Sequence, residues 1–90
     1  MTWKIELLAG AERTLEKLDP PVAKPIYAFL FLRLAKLENP RSIGEALHGP
    51  ELGEFWKYRV GDYRIVARIE NKFLRVLVVK VGHRREIYQR

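Results

Sequence analysis

The alternation of apolar and polar positions divides the chain into a leading strand, two helical segments and a run of three strands. Trp3 to Leu8 alternates enough apolar residues to form a strand, and Gly10 follows as punctuation. Ala11, Leu15 and Leu18 recur at helical spacing, which predicts a short helix over Ala11–Leu18, stopped by Asp19-Pro20-Pro21. A second helix is expected from Val22 or Pro25 to Leu37, with Ile26, Phe29, Leu30, Arg33, Leu34 and Leu37 on one stripe. Proline has no N–H to donate, so Pro25 fits only near the first turn, and Glu38-Asn39-Pro40 ends the segment. Tyr27, Phe31 and Leu32 lie off the stripe; contact with the first helix in a helical hairpin is the simplest way to cover them.

Residues 41–54, with Gly44, Gly49, Pro50 and Gly53, read as a loop with one helical turn around Glu45-Ala46-Leu47. Three strands rich in β-branched and aromatic residues follow, Phe55–Val60, Tyr63–Ile69 and Phe73–Val81. Gly61-Asp62 suits a two-residue hairpin turn, and Asn71-Lys72 is expected to form the next. The order β-α-α-β-β-β predicts an α+β fold: a twisted, mainly antiparallel sheet with a helical hairpin packed on one face. Ninety residues are expected to make a single domain over 1–90.

Composition narrows the chemistry. The chain has no cysteine, which excludes disulfides, a thiolate nucleophile and sulfur-ligated zinc, and fits a reducing cytoplasm. Met1 to Glu6 lacks the apolar core of a secretory signal, and no run is long enough to span a bilayer, so a cytoplasmic location without membrane partners is expected. The net charge of +6 is unevenly placed. Residues 1–54 carry seven Lys or Arg against eight acids, whereas residues 55–90 carry ten against three. Such a surface suits a polyanion, RNA or DNA, although an acidic protein partner would also satisfy it.

The two turns set a register. With Gly61-Asp62 as a two-residue turn, Val60 opposes Tyr63, Arg59 opposes Arg64 and Lys57 opposes Val66. With Asn71-Lys72 as the second, Arg68 opposes Arg75, and one face carries Lys57, Arg59, Arg64, Arg68 and Arg75. The other face, with Trp56, Tyr58, Tyr63, Ile65, Ala67, Ile69, Leu74, Val76 and Val78, is the expected core face under the helices. Tyr63 is thus expected inside and Arg64 in solvent. Two pairs of like charges directly opposite, with no carboxylate at those positions, destabilise a ladder unless an anion binds or the side chains splay into water. The tail adds His83, a residue that titrates near neutrality, then Arg84, Arg85 and Tyr88.

Three segments carry a family resemblance: Leu47-His48-Gly49, Phe55-Trp56-Lys57-Tyr58-Arg59-Val60-Gly61-Asp62-Tyr63-Arg64-Ile65-Val66, and Val81-Gly82-His83-Arg84-Arg85-Glu86-Ile87-Tyr88. Together they resemble the RelE/ParE toxin superfamily over essentially the whole chain. The resemblance implies the toxin component of a type II toxin-antitoxin system. In its RelE-like branch such a toxin is a metal-independent, cofactor-free, ribosome-dependent endoribonuclease that cuts mRNA in the A site by 2′-OH attack and so inhibits translation. It implies catalytic roles at Lys57, Arg59, Arg64, Arg84 and Tyr88; Arg68 and Arg75 of the basic face and His83 and Arg85 of the tail are the expected RNA-binding groups. Arg64 and Arg59 would meet transition-state charge, Arg84 the phosphate or leaving group, and Tyr88 or Lys57 would transfer protons. Arg59 stands where a lysine is common, and arginine is a poor base; the tail from Gly82 to Tyr88 is also shorter than in some relatives. The implied partners are a cognate antitoxin and, through it, operator DNA. The alternatives are a ParE-like inhibitor of DNA gyrase without nuclease activity, and a nucleic-acid-binding module without catalysis.

Overall fold

A computed structural model describes residues 2–47 and 55–87. Strand β1, Lys4–Leu7, leads into helix α1, Ala9–Lys17, and helix α2, Pro20–Ala28. The Asp19-Pro20-Pro21 stop is also a start: the two prolines occupy the first positions of α2, where no N–H is required. Pro25 therefore sits inside the helix and not, as the sequence led us to expect, in its first turn. Downstream the helix widens into a π-helical turn over Phe29–Arg33 and tightens into a 3-10 turn over Leu34–Lys36. This irregularity changes which residues face inward. Leu30, Leu34 and Ala35 are buried, while Arg33, expected on the apolar stripe, turns to solvent and places its guanidinium over the Phe29 ring. Phe31 and Leu32 are exposed as well, so the first helix does not cover the outer surface of the second. No helix among the described residues is long and apolar enough to cross a membrane.

The sheet has five strands in the order β1-β5-β4-β3-β2. Strand β2 is Glu45–Ala46, β3 Phe55–Val60, β4 Tyr63–Glu70 and β5 Arg75–His83; a short helix α3, Arg84–Ile87, follows directly. The turn expected around Glu45-Ala46-Leu47 is thus an edge strand, paired antiparallel with β3 through Glu45 opposite Lys57. Strand β1 pairs parallel to β5, with Lys4 opposite Arg75. The β3–β4 register is as the sequence predicts, including Arg59 opposite Arg64.

The β4–β5 register is not. In place of a two-residue turn, Asn71–Phe73 form a 3-10 turn and Leu74 adopts φ 46° and ψ 49°, so Glu70 opposes Arg75 and Arg68 opposes Leu77. A bulge between Val66 and Ala67 shifts the ladder once more and brings Gly82 opposite Arg64. The core lies on one side of the sheet, where Leu15, Ile26, Leu30 and Leu34 meet Tyr58, Ile65, Val76 and Val78. Trp3 closes one end, donating from its indole to the Glu38 carbonyl at 3.2 Å.

Tyr58 anchors the connecting segment to this core. Its ring is fully buried and its hydroxyl donates to the Pro40 carbonyl at 2.7 Å. Gly44 passes so close that an added Cβ would lie 2.8 Å from Tyr58 Cε1. The backbone at Gly44, with φ −105°, is open to any residue, so the constraint there is steric. Gly44→Ala should cost about 1–3 kcal/mol through overpacking, and a thermal melt should register a drop of several degrees. An unchanged melting temperature would mean that this segment is not seated on Tyr58.

Candidate nucleic-acid interface

The basic residues divide into two groups along the outer face of the sheet. At the Gly61-Asp62 end, Arg59 is exposed, whereas Arg64, expected in solvent, is only 6% exposed. Its burial follows from the ladder. Gly82 opposite has no side chain to fill the space, and Ile87 of α3 lies above it, 3.4 Å from where a Gly82 Cβ would stand. Nη1 of Arg64 donates to the carbonyls of Gly61 and Tyr63 at 3.0 and 2.9 Å. Nε is buried and has no hydrogen-bond partner among the described residues. An unmatched buried donor is costly, and its natural complement is an anionic oxygen.

Arg84 joins this end through the turn: its N–H donates to the Asp62 carbonyl at 2.7 Å, and its guanidinium lies 3.9 Å from the Asp62 carboxylate. Arg85 is exposed, and its backbone N–H donates to His83 Nδ1 at 3.2 Å. The His83 ring stands edge-on to Tyr63, 5.5 Å between centroids, on the core side of the sheet. Tyr63, expected inside, is half-buried here at the sheet's end. Tyr88 lies outside the described residues.

Lys57 is largely covered, and its ammonium lies 3.6 Å from Glu45. Arg68 is exposed further along β4. Arg75 shares that face but opposes Glu70, not Arg68, and is held by two carboxylates, Glu70 at 2.5 Å and Glu6 at 3.2 Å. The expectation of a second arginine pair without a carboxylate is therefore corrected at Arg75, which meets Glu70 and Glu6, and elsewhere Glu45 lies at Lys57 and Asp62 at Arg84. The hydrogen bond from Arg75 holds the Glu70 carboxyl below its ordinary range against partial desolvation, helped by the charges of Arg75 and Arg68. A carboxyl lowered on folding stabilises the fold above its unfolded pKa, and that contribution fades as pH falls through the lower folded value. Glu70→Gln should flatten the pH dependence of the melting temperature below the ordinary glutamate range. A pH dependence identical to that of the wild type would show the pair to be energetically silent.

The family model for the ParE toxin of type II toxin-antitoxin systems matches residues 5–88. The chain belongs to the ParE toxin family. Toxin RelG of Mycobacterium tuberculosis is 31% identical to this ParE-family chain over 90 residues, all of both proteins. Toxin RelE of the same organism is 30% identical over 87 residues, covering 97% of this chain and 87% of the relative. Among solved structures, the toxin-antitoxin complex RelBE2 of M. tuberculosis holds a chain with TM-score 0.83 and 28% identity, each covering 92% of the other. The E. coli RelBE complex gives 0.70 at 23% identity, covering 90% of this chain and 95% of that one, a likeness of fold.

In this ParE-family chain the sequence brought Arg59 and Arg64 together correctly but missed the counter-charges and the burial of Arg64. Glu45 was hidden by reading β2 as a helical turn. The signal that could have placed Arg64 was Gly82, the residue without a side chain just before the His-Arg-Arg run. Arg33 and Arg41 were also missed as parts of the basic surface; Arg33 lines a small cavity with Lys57 and Arg59, on the edge of the same end of the sheet.

Proposed function

We propose that this toxin cleaves messenger RNA in the ribosomal A site, without metal or cofactor, by driving a ribose 2′-hydroxyl onto the adjacent phosphate. The observation that carries this reading is the pairing of Arg59 with a buried Arg64 whose Nε lacks a partner among the described residues. A phosphate held at the exposed Arg59 would bring negative charge up to this pair of guanidinium groups. The oxygens of a pentavalent phosphorane carry more negative charge than those of the ground state, so fixed guanidinium groups favour the transition state over the substrate. In this reading Arg64 and Arg59 meet that charge, and Arg84, anchored at Asp62, meets the phosphate or the leaving 5′-oxygen. Lys57, with Glu45 at its ammonium, and Tyr88 are the proton-transfer candidates. Arg68, Arg75, His83 and Arg85 serve as RNA-binding groups, Arg75 with its charge shared between Glu6 and Glu70.

The same reading gives the toxin an antitoxin as its cellular partner, supported by the RelBE complexes among the similar structures. Operator DNA would be reached through that antitoxin, and the cytoplasm is where mRNA and ribosomes are met. The name of the matching family supports a second reading, a ParE-like inhibitor of DNA gyrase that uses this surface to hold a protein. Induced expression without antitoxin, followed by mapping of mRNA ends and a gyrase supercoiling assay on the purified toxin, separates the two. New mRNA ends with normal supercoiling are expected. Blocked supercoiling with intact mRNA would replace the nuclease by the gyrase inhibitor, and growth arrest without either would leave a module that binds nucleic acid without cutting it.

A further inference from the structure

A cleft of about 480 Å³ opens at the other end of β4 from Arg64, between the Pro40–Ile43 turn and the β4–β5 connection. Arg41, Arg68 and Lys72 supply its positive charge, and the rings of Trp56 and Phe73 supply flat walls. The Arg41 guanidinium lies 6.0 Å from the Trp56 ring centroid and donates to Asn71 Oδ1 at 3.0 Å, which ties the two sides of the cleft together. Glu70 also lines it, but its carboxylate is engaged by Arg75, whose guanidinium lies 5.0 Å from the Phe73 ring centroid.

Phe73 is 64% exposed, so the core does not need its ring. The connection that carries it also keeps Leu74 in the left-handed region, which a bulky residue adopts only at a cost, and local strain of this kind concentrates at binding sites. Cations beside the exposed Phe73 ring and the half-buried Trp56 suit a single-stranded nucleic acid, in which each base offers a ring face and each phosphate a charge. Arg64 and Arg68 lie on one face of β4, four residues apart, which is about 13 Å at the rise of a strand. A strand of RNA held at Arg64 can therefore run into the cleft.

We infer that the cleft is a second RNA subsite, taking a nucleotide that flanks the cleaved phosphate, its base against Phe73 and Trp56 and its phosphate among Arg41, Arg68 and Lys72. The inference rests on the proposed RNA-cleaving function and extends it to substrate positioning. The test titrates the full-length toxin with a labelled single-stranded oligoribonucleotide carrying 2′-O-methyl groups throughout, which blocks 2′-OH attack and isolates binding from cleavage. Phe73→Ala should weaken binding roughly five- to a hundredfold, the range expected for loss of one stacking platform. Phe73→Tyr, which keeps the ring face, should bind like the wild type. Lys72→Ala should lower the slope of log affinity against log salt by about 0.7, as expected when one fewer phosphate of a single strand is neutralised. Arg59→Ala, at the other end of the sheet, reports on the cleavage site separately. Normal binding by Phe73→Ala and Lys72→Ala beside a weakened Arg59→Ala would overturn the subsite and leave the cleavage reading standing. Weak binding by the Phe73 and Lys72 variants with a normal Arg59→Ala would support the cleft and count against the site at Arg59. A wild type that binds no RNA at low salt, or a Phe73→Ala that loses only antitoxin affinity, would overturn the inference.

Discussion

Arg64→Ala is expected to slow mRNA cleavage by about 10²–10³-fold, the loss typical of removing one fixed donor from developing charge. The side chain is not a solvent-exposed cation. It lies in the gap above Gly82, with Nη1 committed to two turn carbonyls and Nε without a partner among the described residues. Truncation removes two hydrogen bonds to carbonyls but also a buried, partly unmatched charge, and these effects oppose each other. The net change in stability should be about 1 kcal/mol in either direction, or several degrees in melting temperature for a chain of this size. Arg64→Lys keeps the charge and loses the planar fork, so it should recover little of the activity. Single-turnover cleavage and a thermal melt on the same preparations decide the matter. A folded Arg64→Ala toxin with wild-type cleavage would exclude Arg64 from the reaction.

Tyr58→Ala should produce the largest loss of stability, about 3–5 kcal/mol, because it empties a fully buried aromatic site in the middle of the core. The ring meets Phe29, with 5.6 Å between centroids, and Gly44, and its hydroxyl holds Pro40, so the loss reaches both the π-helical turn and the segment leading to β2. Stabilities of small domains are about 5–15 kcal/mol, so the variant should be marginal at growth temperature. Tyr58→Phe isolates the hydroxyl: it leaves the Pro40 carbonyl unmatched and should cost about 1–3 kcal/mol. Burial pushes the Tyr58 hydroxyl well above the usual tyrosine range, countered in part by the Arg41 charge, so the phenol stays protonated and donating throughout the working range. Urea denaturation of both variants measures these differences. Equal losses would mean that the hydroxyl bond, and not the packing, carries the site.

The central hairpin was fully legible because its turn chemistry is local. Gly61, at φ +59°, supplies the left-handed residue that a two-residue turn needs, and once that turn is placed the pairing of Arg59 with Arg64 follows. The next connection was not legible, because its bend uses Leu74 in a conformation that nothing about leucine signals. That single residue moved Arg75 away from Arg68 and opposite Glu70. The extended pairing of Glu45-Ala46 depends on β3 beside it, a long-range effect that outweighs the helical propensity of Glu and Ala. The same holds for Arg33. Helical periodicity placed it with the core, and a π-helical turn, whose extra residue per turn leaves no periodic trace, moved it out. Burial of Arg64 depends on Gly82, distant along the chain and brought opposite only by the bulge between Val66 and Ala67.

Of all these measurements, the chemistry of the cut end tests RNA cleavage most directly. The purified toxin would be added to ribosomes programmed with a defined mRNA and an empty A site, and the 3′ ends of the fragments analysed. Attack by the neighbouring 2′-hydroxyl predicts fragments ending in a 2′,3′-cyclic phosphate within the A-site codon, formed far more slowly with Arg64→Ala. Intact mRNA at toxin concentrations that arrest growth, or fragments ending in a free 3′-hydroxyl, would contradict it.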